Sequence, residues 1–177
     1  MRVSTANSFD ATVNNLAASS LAKTGGAGGF IGGGTSYTLN FGTILEGSGI
    51  VSTGLSLSNI AGGPADALAG SFILTALAGT PFSAISGFSS FTGVAAGGSL
   101  AGGMLVGFNT DTLGAFSSSI TFNPLSTNLS QADLTLAAVT LNLEGSVVAI
   151  PEPGTWALWL AGLALMSQLV RRRVRQA

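Results

Sequence analysis

Seven carboxylates are the only acidic side chains available for chemistry, because the sequence has no His and no Cys. The common nucleophile–base triads and the nitrogen- or sulfur-ligated zinc sites are therefore excluded. Oxygen chemistry remains. Asp111 and Asp133 lie in loop-like stretches with Asn109, Thr110, Asn128 and Gln131 nearby. These are ligand types that suit Ca²⁺. No Asp-x-Asp spacing supports such a site, and solvated loop acids are the simpler reading. A pair of carboxylates is the requirement for glycoside hydrolysis, but nothing marks one. The tract Gly25–Gly34 (GGAGGFIGGG) is the kind of glycine-rich stretch that cradles phosphate. Phosphate binding would need a strand before it, a helix after it and usually a Lys. Here Thr35–Phe41 reads as a strand and no Lys follows, so a flexible loop is expected. No catalytic residue, metal ligand or cofactor is assigned.

The elements that would position any site are strands. Tyr37, Leu39 and Phe41 alternate with Thr38 and Asn40, the period of a half-buried strand. Leu55 and Leu57 alternate with Ser56 and Ser58 within Ile50–Ile60. Ser71–Ala78 is a short apolar strand, and Phe82, Ile85, Phe88 and Phe91 read as plugs into a core. Gly103–Asn109 and Gly114–Asn123 alternate again. Asn123-Pro124 opens a polar loop to Asp133, and Leu134–Val148 gives the last strand, with a phase break at Ala137-Ala138. About seven short strands separated by turn signals predict an antiparallel β-sandwich over residues 37–148. Residues 1–36 form a Gly-rich N-terminal segment. Helical readings of Asp10–Lys23 or Ala65–Leu77 are weakened by Gly, Ser and Thr. A parallel β-solenoid is the alternative architecture, but no fixed repeat supports it.

The tail over residues 149–177 has a different character. Pro151-Glu152-Pro153 should be stiff and extended, because proline fixes φ and restricts the residue before it. Such a segment suits either a rigid spacer or the cleft of a protease or transpeptidase. From Gly154 to Val170 run 17 residues without a charge. A helix of that length spans about 25 Å, the lower limit for a hydrocarbon core of about 30 Å. Trp156, Trp159, Leu160, Leu163, Leu165 and Val170 would face lipid, although Ser167 and Gln168 dilute the far end. Arg171, Arg172, Arg173 and Arg175 would stop transfer and hold the C-terminus on the cytoplasmic side. The expectation is a single C-terminal transmembrane helix after the sandwich.

Pro151, Glu152, Pro153, Thr155, Trp156, Ala157, Leu158, Ala161, Gly162 and Leu163, with the arginines behind them, resemble the PEP-CTERM sorting signal of Gram-negative bacteria. The resemblance implies recognition by an exosortase, a membrane cysteine transpeptidase, with the chain as its substrate. It also implies cleavage near Pro-Glu-Pro and delivery of the exported part to the cell surface or the exopolysaccharide matrix. Within residues 37–148, a loose series of motifs is similar to the Hydin-like, immunoglobulin-type domain of choice-of-anchor D surface proteins. It includes Leu39-Asn40-Phe41-Gly42-Thr43, Leu55-Ser56-Leu57-Ser58-Asn59, Val106-Gly107-Phe108 and Leu143-Glu144-Gly145-Ser146-Val147. Phe108-Asn109-Thr110 lacks the proline usual in that series. Such modules imply an interaction or structural role rather than catalysis.

Charge narrows the partners. Charged residues make up 7% of the chain, against about 25% in ordinary soluble domains. Before Pro151 the only cations are Arg2 and Lys23, and the body carries about −4. A body of that kind cannot neutralise phosphates, so nucleic acid is not an expected partner. The expected partners are an exosortase, membrane lipid through the tail, and exopolysaccharide. Met1–Lys23 has no apolar stretch of the kind an export signal needs, and that signal is expected upstream of Met1. Two functions follow. The first is a non-enzymatic exported surface or matrix protein, held in the inner membrane by its tail and then processed. The alternative is a membrane-anchored ligand-binding or hydrolytic domain with a site in Asn109–Leu113 or Asn123–Asp133.

Overall fold

The computed structural model describes residues 13–150 and 153–174. In chain order the elements are β1 (Ser19–Gly26), β2 (Gly29–Gly33), β3 (Ser36–Leu45), β4 (Ile50–Asn59), β5 (Ala67–Ile73), β6 (Phe82–Ser86), β7 (Phe91–Val94), β8 (Met104–Asn109), β9 (Gly114–Thr127), β10 (Leu134–Thr135), β11 (Val139–Val148) and helix α1 (Pro153–Val174). One sheet has the order β1-β4-β8-β6, and the other β2-β3-β11-β9-β5-β7 with β10 beside β9. The expected mainly β, two-sheet sandwich is present. It is mixed rather than purely antiparallel, because β11 pairs with β3 in parallel.

Alternation explains the two layers. In β9, Ile120, Phe122, Pro124 and Ser126 are buried, while the residues between them are partly exposed. In β11, Val139, Leu141, Leu143 and Val147 are buried. Leu39, Leu55, Leu68, Val106, Phe108 and Leu143 are fully buried. At one end of the core Phe108 stacks on Phe82 and Phe41, with centroids 4.8 and 5.3 Å apart. At the other end Phe72 stacks on Phe122 at 5.0 Å and meets Phe88 edge-on at 5.3 Å. Such pairs add about 0.5–1.5 kcal/mol each beyond the area they bury.

Several expected elements are corrected. Gly25–Gly34 is not a flexible loop but the corner at which the chain leaves one sheet (β1) and enters the other (β2). Gly26 and Gly28 have φ of 88° and 78°, and a Cβ on either would strike the backbone of a neighbouring strand. Only glycine permits so tight a corner. Strand β5 begins at Ala67 because its register is set by β9, and the apolar residues after Ile73 close into a short 3₁₀ turn at Thr75–Leu77. Ile85 does not plug the core and is 47% exposed. Strand β9 continues through Pro124. Leu136 N–H donates to the Pro124 carbonyl on the β10 side, so the absent proline N–H faces that ragged edge and costs β5 nothing. The Ala137-Ala138 phase break separates β10 from β11.

Among the described residues, no helix is long and apolar enough to cross a membrane. The expected span over Trp156–Val170 is corrected accordingly. Helix α1 runs on into Arg171–Arg173, and its charge-free part is thinned by Gly154, Thr155, Ser167 and Gln168.

Candidate functional site at the tail exit

Strand β11 lies between β3 and β9 in the larger sheet, and its end is tied down. Glu46 N–H donates to the Val148 carbonyl at 2.9 Å. Gly47 N–H donates to the Thr110 carbonyl at 3.0 Å, and the buried Thr110 hydroxyl donates to the Gly49 carbonyl at 2.8 Å. Three segments that are distant in sequence thus form one fixed end of the sandwich. Only Ala149 and Ile150 separate this end from Pro151, and Ile150 is 57% exposed. Pro151 and Glu152 lie outside the described residues. Pro153 opens α1, a position where a missing N–H costs nothing.

From Trp156 to Ser167 every residue of α1 is exposed, including Trp156, Leu158, Trp159, Leu160, Leu163, Leu165 and Met166. The side chains of Val170 and Arg171–Arg173 lie outside the described residues, as does Arg175. The structure therefore gives a sandwich complete at Val148, two described residues that lead out of it, and a helix whose described apolar side chains find no core.

The loop acids do not converge. Asp111 precedes β9 and Asp133 follows it, so they stand at opposite ends of a 14-residue strand, about 40 Å apart along it. Among the described residues, no group of three or more acidic side chains is placed to hold a metal ion. Asn109–Leu113 folds on itself, with Asp111 N–H donating to Asn109 Oδ1 at 2.8 Å. Within Asn123–Asp133, Leu125, Thr127, Asn128 and Asp133 border an open cleft of about 750 Å³, shared with Asp66 and Phe91.

Sequence reasoning missed Asp66, which is buried at the edge of this cleft. Its Oδ2 accepts from Ser126 Oγ at 2.9 Å, and its Oδ1 from Asn128 Nδ2 at 3.1 Å and Asn14 Nδ2 at 3.4 Å. Ala17 N–H donates to the same Ser126 hydroxyl at 2.9 Å. The carboxylate fastens the segment before β1 to the ends of β5 and β9. In sequence it lies two residues beyond the turn cluster Asn59–Pro64, which says nothing about its partners.

The chain is a β-sandwich followed by an exposed helical tail, and the tail carries an address. The address is specific: residues 149–175 match the PEP-CTERM protein-sorting motif. This motif implies an exported chain that an exosortase sorts as its substrate. No curated protein matches the chain. Among solved structures, the chain is similar to the ASH / PapD-like domain of human CEP192 (PapD-like domain 7), with 10% identity and a TM-score of 0.43, covering 85% of this chain and 99% of that one. It is also similar to the Vibrio cholerae VesB protease, with 16% identity and a TM-score of 0.43, covering 62% of this chain and 30% of the protease. The chain thus spans less than a third of the protease's length.

Proposed function

We propose that this is a non-enzymatic exported protein of the cell surface or exopolysaccharide matrix, released or transferred when an exosortase cuts at Pro151-Glu152-Pro153. The observation that carries this reading is the placement of the sorting motif. It begins one residue after the last strand of a finished sandwich and continues into an exposed helix. Cutting there separates tail from body without opening a sheet. The arginines at 171–173 and 175 would draw the tail to anionic headgroups, where a membrane enzyme works, at about 1 kcal/mol each. The body is an immunoglobulin-type module of the choice-of-anchor D kind, and its role is structural or adhesive.

The test is the mass of the C-terminus in the native host. A mature form ending near Pro151–Pro153 is expected. Replacing all three motif residues by alanine should leave the full tail on nearly all molecules. Equal processing of that variant would refute motif-directed cleavage. The cleft beside Asp66 favours a second reading, a ligand-binding or hydrolytic body. A saturable sugar that raises the melting temperature would support it.

A further inference from the structure

The outer side of the larger sheet is built in rows. Thr38, Asn142 and Ser119 are paired across β3, β11 and β9, and so are Asn40, Glu144 and Ser117. The next row is Thr43, Ser146 and Ala115, in which Ser146 Oγ donates to Thr43 Oγ1 at 2.9 Å. The final row changes character. Leu45 pairs with Val148, and Leu113 directly precedes Gly114, the β9 partner of Val147. Leu45, Leu113 and Val148 are 46%, 48% and 42% exposed. Strand parity assigns Leu45 and Val148 to solvent, and on β3, β11 and β9 the three rows before them obey it with hydroxyls, amides, one alanine and one carboxylate. On β3, β11 and β9 the apolar row falls where the chain leaves for the sorting motif; elsewhere on this face the exposed Ile31 and Ile73 stand singly on the outlying strands β2 and β5. Ile150 extends it toward Pro151, and the loops bearing Glu46 and Asp111 flank it.

We infer that the rim Leu45–Leu113–Val148–Ile150 is a docking surface for the sorting enzyme, read together with Pro-Glu-Pro. This rests on the proposed reading that an exosortase processes the tail. The occupant follows from distance. Two residues span about 7 Å, so a catalytic cleft that closes on Pro151–Pro153 meets the end of the sandwich. The cross-strand hydrogen bonds hold this end rigid, so contact with it orders little new structure. The complementary surface is apolar with cationic groups at its margin, matching Glu46 and Asp111. Those two carboxylates disfavour an anionic bilayer as the occupant.

The experiment follows tail removal over time in the native host for the full chain, for Leu45→Ser with Leu113→Ser, and for a chain with a Gly/Ser spacer of about ten residues before Pro151. Both serines replace exposed side chains, and an unchanged melting temperature verifies folding. Removal should slow about tenfold in the double variant, the loss typical of a contributing interface anchor. The spacer should also slow removal and make it insensitive to the serines. Wild-type rates in the double variant would overturn the inference, whether the rim then contacts lipid or a second copy. A wild-type chain that keeps its tail would instead overturn the proposed function itself.

Discussion

Asn59 is a polar side chain with no solvent exposure, at the end of β4. Its Oδ1 accepts from Ala18 N–H at 3.0 Å and Ala61 N–H at 3.3 Å, and its Nδ2 donates to the carbonyls of Asp66 at 3.0 Å and Val94 at 3.1 Å. Every hydrogen-bonding capacity of the amide is used on backbone groups from four segments. Replacing Asn59 by Ala would leave buried donors and acceptors unpaired, each costing about 1–3 kcal/mol where water cannot enter. We expect Asn59→Ala to lower the unfolding free energy by about 2–4 kcal/mol, measured by urea denaturation. A loss below about 0.5 kcal/mol would show that water replaces the amide. In sequence, Asn59 reads only as the first residue of a turn cluster.

Among the elements, β3 carries the device that sets the rim. Between Glu144 and Ser146 of β11, which are two residues apart, β3 advances three residues from Asn40 to Thr43. The extra residue is a β-bulge at Gly42, which has φ of 75° and whose N–H is held by Asn40 Oδ1 at 2.7 Å. The bulge restores parity, so Thr43 and Leu45 face outward again while Ile44 is partly buried. Gly42→Ala forces a side chain into the left-handed region and should cost about 1–2 kcal/mol, readable as a fall in urea midpoint at unchanged slope.

The same strand shows what the sequence made legible. The alternation Tyr37, Leu39, Phe41 is local and marks a half-buried strand wherever its partners lie. β4, β8 and most of β9 were legible for the same reason. β2 was not, because seven of the ten residues in Gly25–Gly34 are glycine and carry no pattern, and β1 was not, because Leu21 is its one large apolar residue. β5 was displaced toward Leu77, since Leu74 and Leu77 are apolar like a strand but pack from a 3₁₀ turn. The sorting motif was fully legible because it is read along the chain. The rim was not, because Leu45 and Val148 meet only through pairing.

At the scale of the whole molecule, body and tail differ in how they find partners. The sandwich satisfies itself, and no buried side-chain nitrogen or oxygen among the described residues lacks a hydrogen bond. The tail leaves tryptophans and leucines in the open from Trp156 to Met166. A chain assembled this way can shed one part without changing the other. That is the property required of a substrate whose address is removed after delivery.

Lys23 has a consequence outside the cell. Its Nζ donates to the Gly28 carbonyl across the β1–β2 corner, and no Lys or Arg follows until Arg171. Proteases of the trypsin type therefore have no site between Thr24 and Val170, and the preceding bond lies in a paired strand. Trypsin should leave the folded body intact while removing parts of the basic tail. After heat unfolding it should release one large fragment beginning at Thr24, identified by its mass. Further cuts within that fragment would contradict this expectation. Amine-directed labels would likewise find almost nothing to hold, so a body freed of its tail would be nearly inert to both.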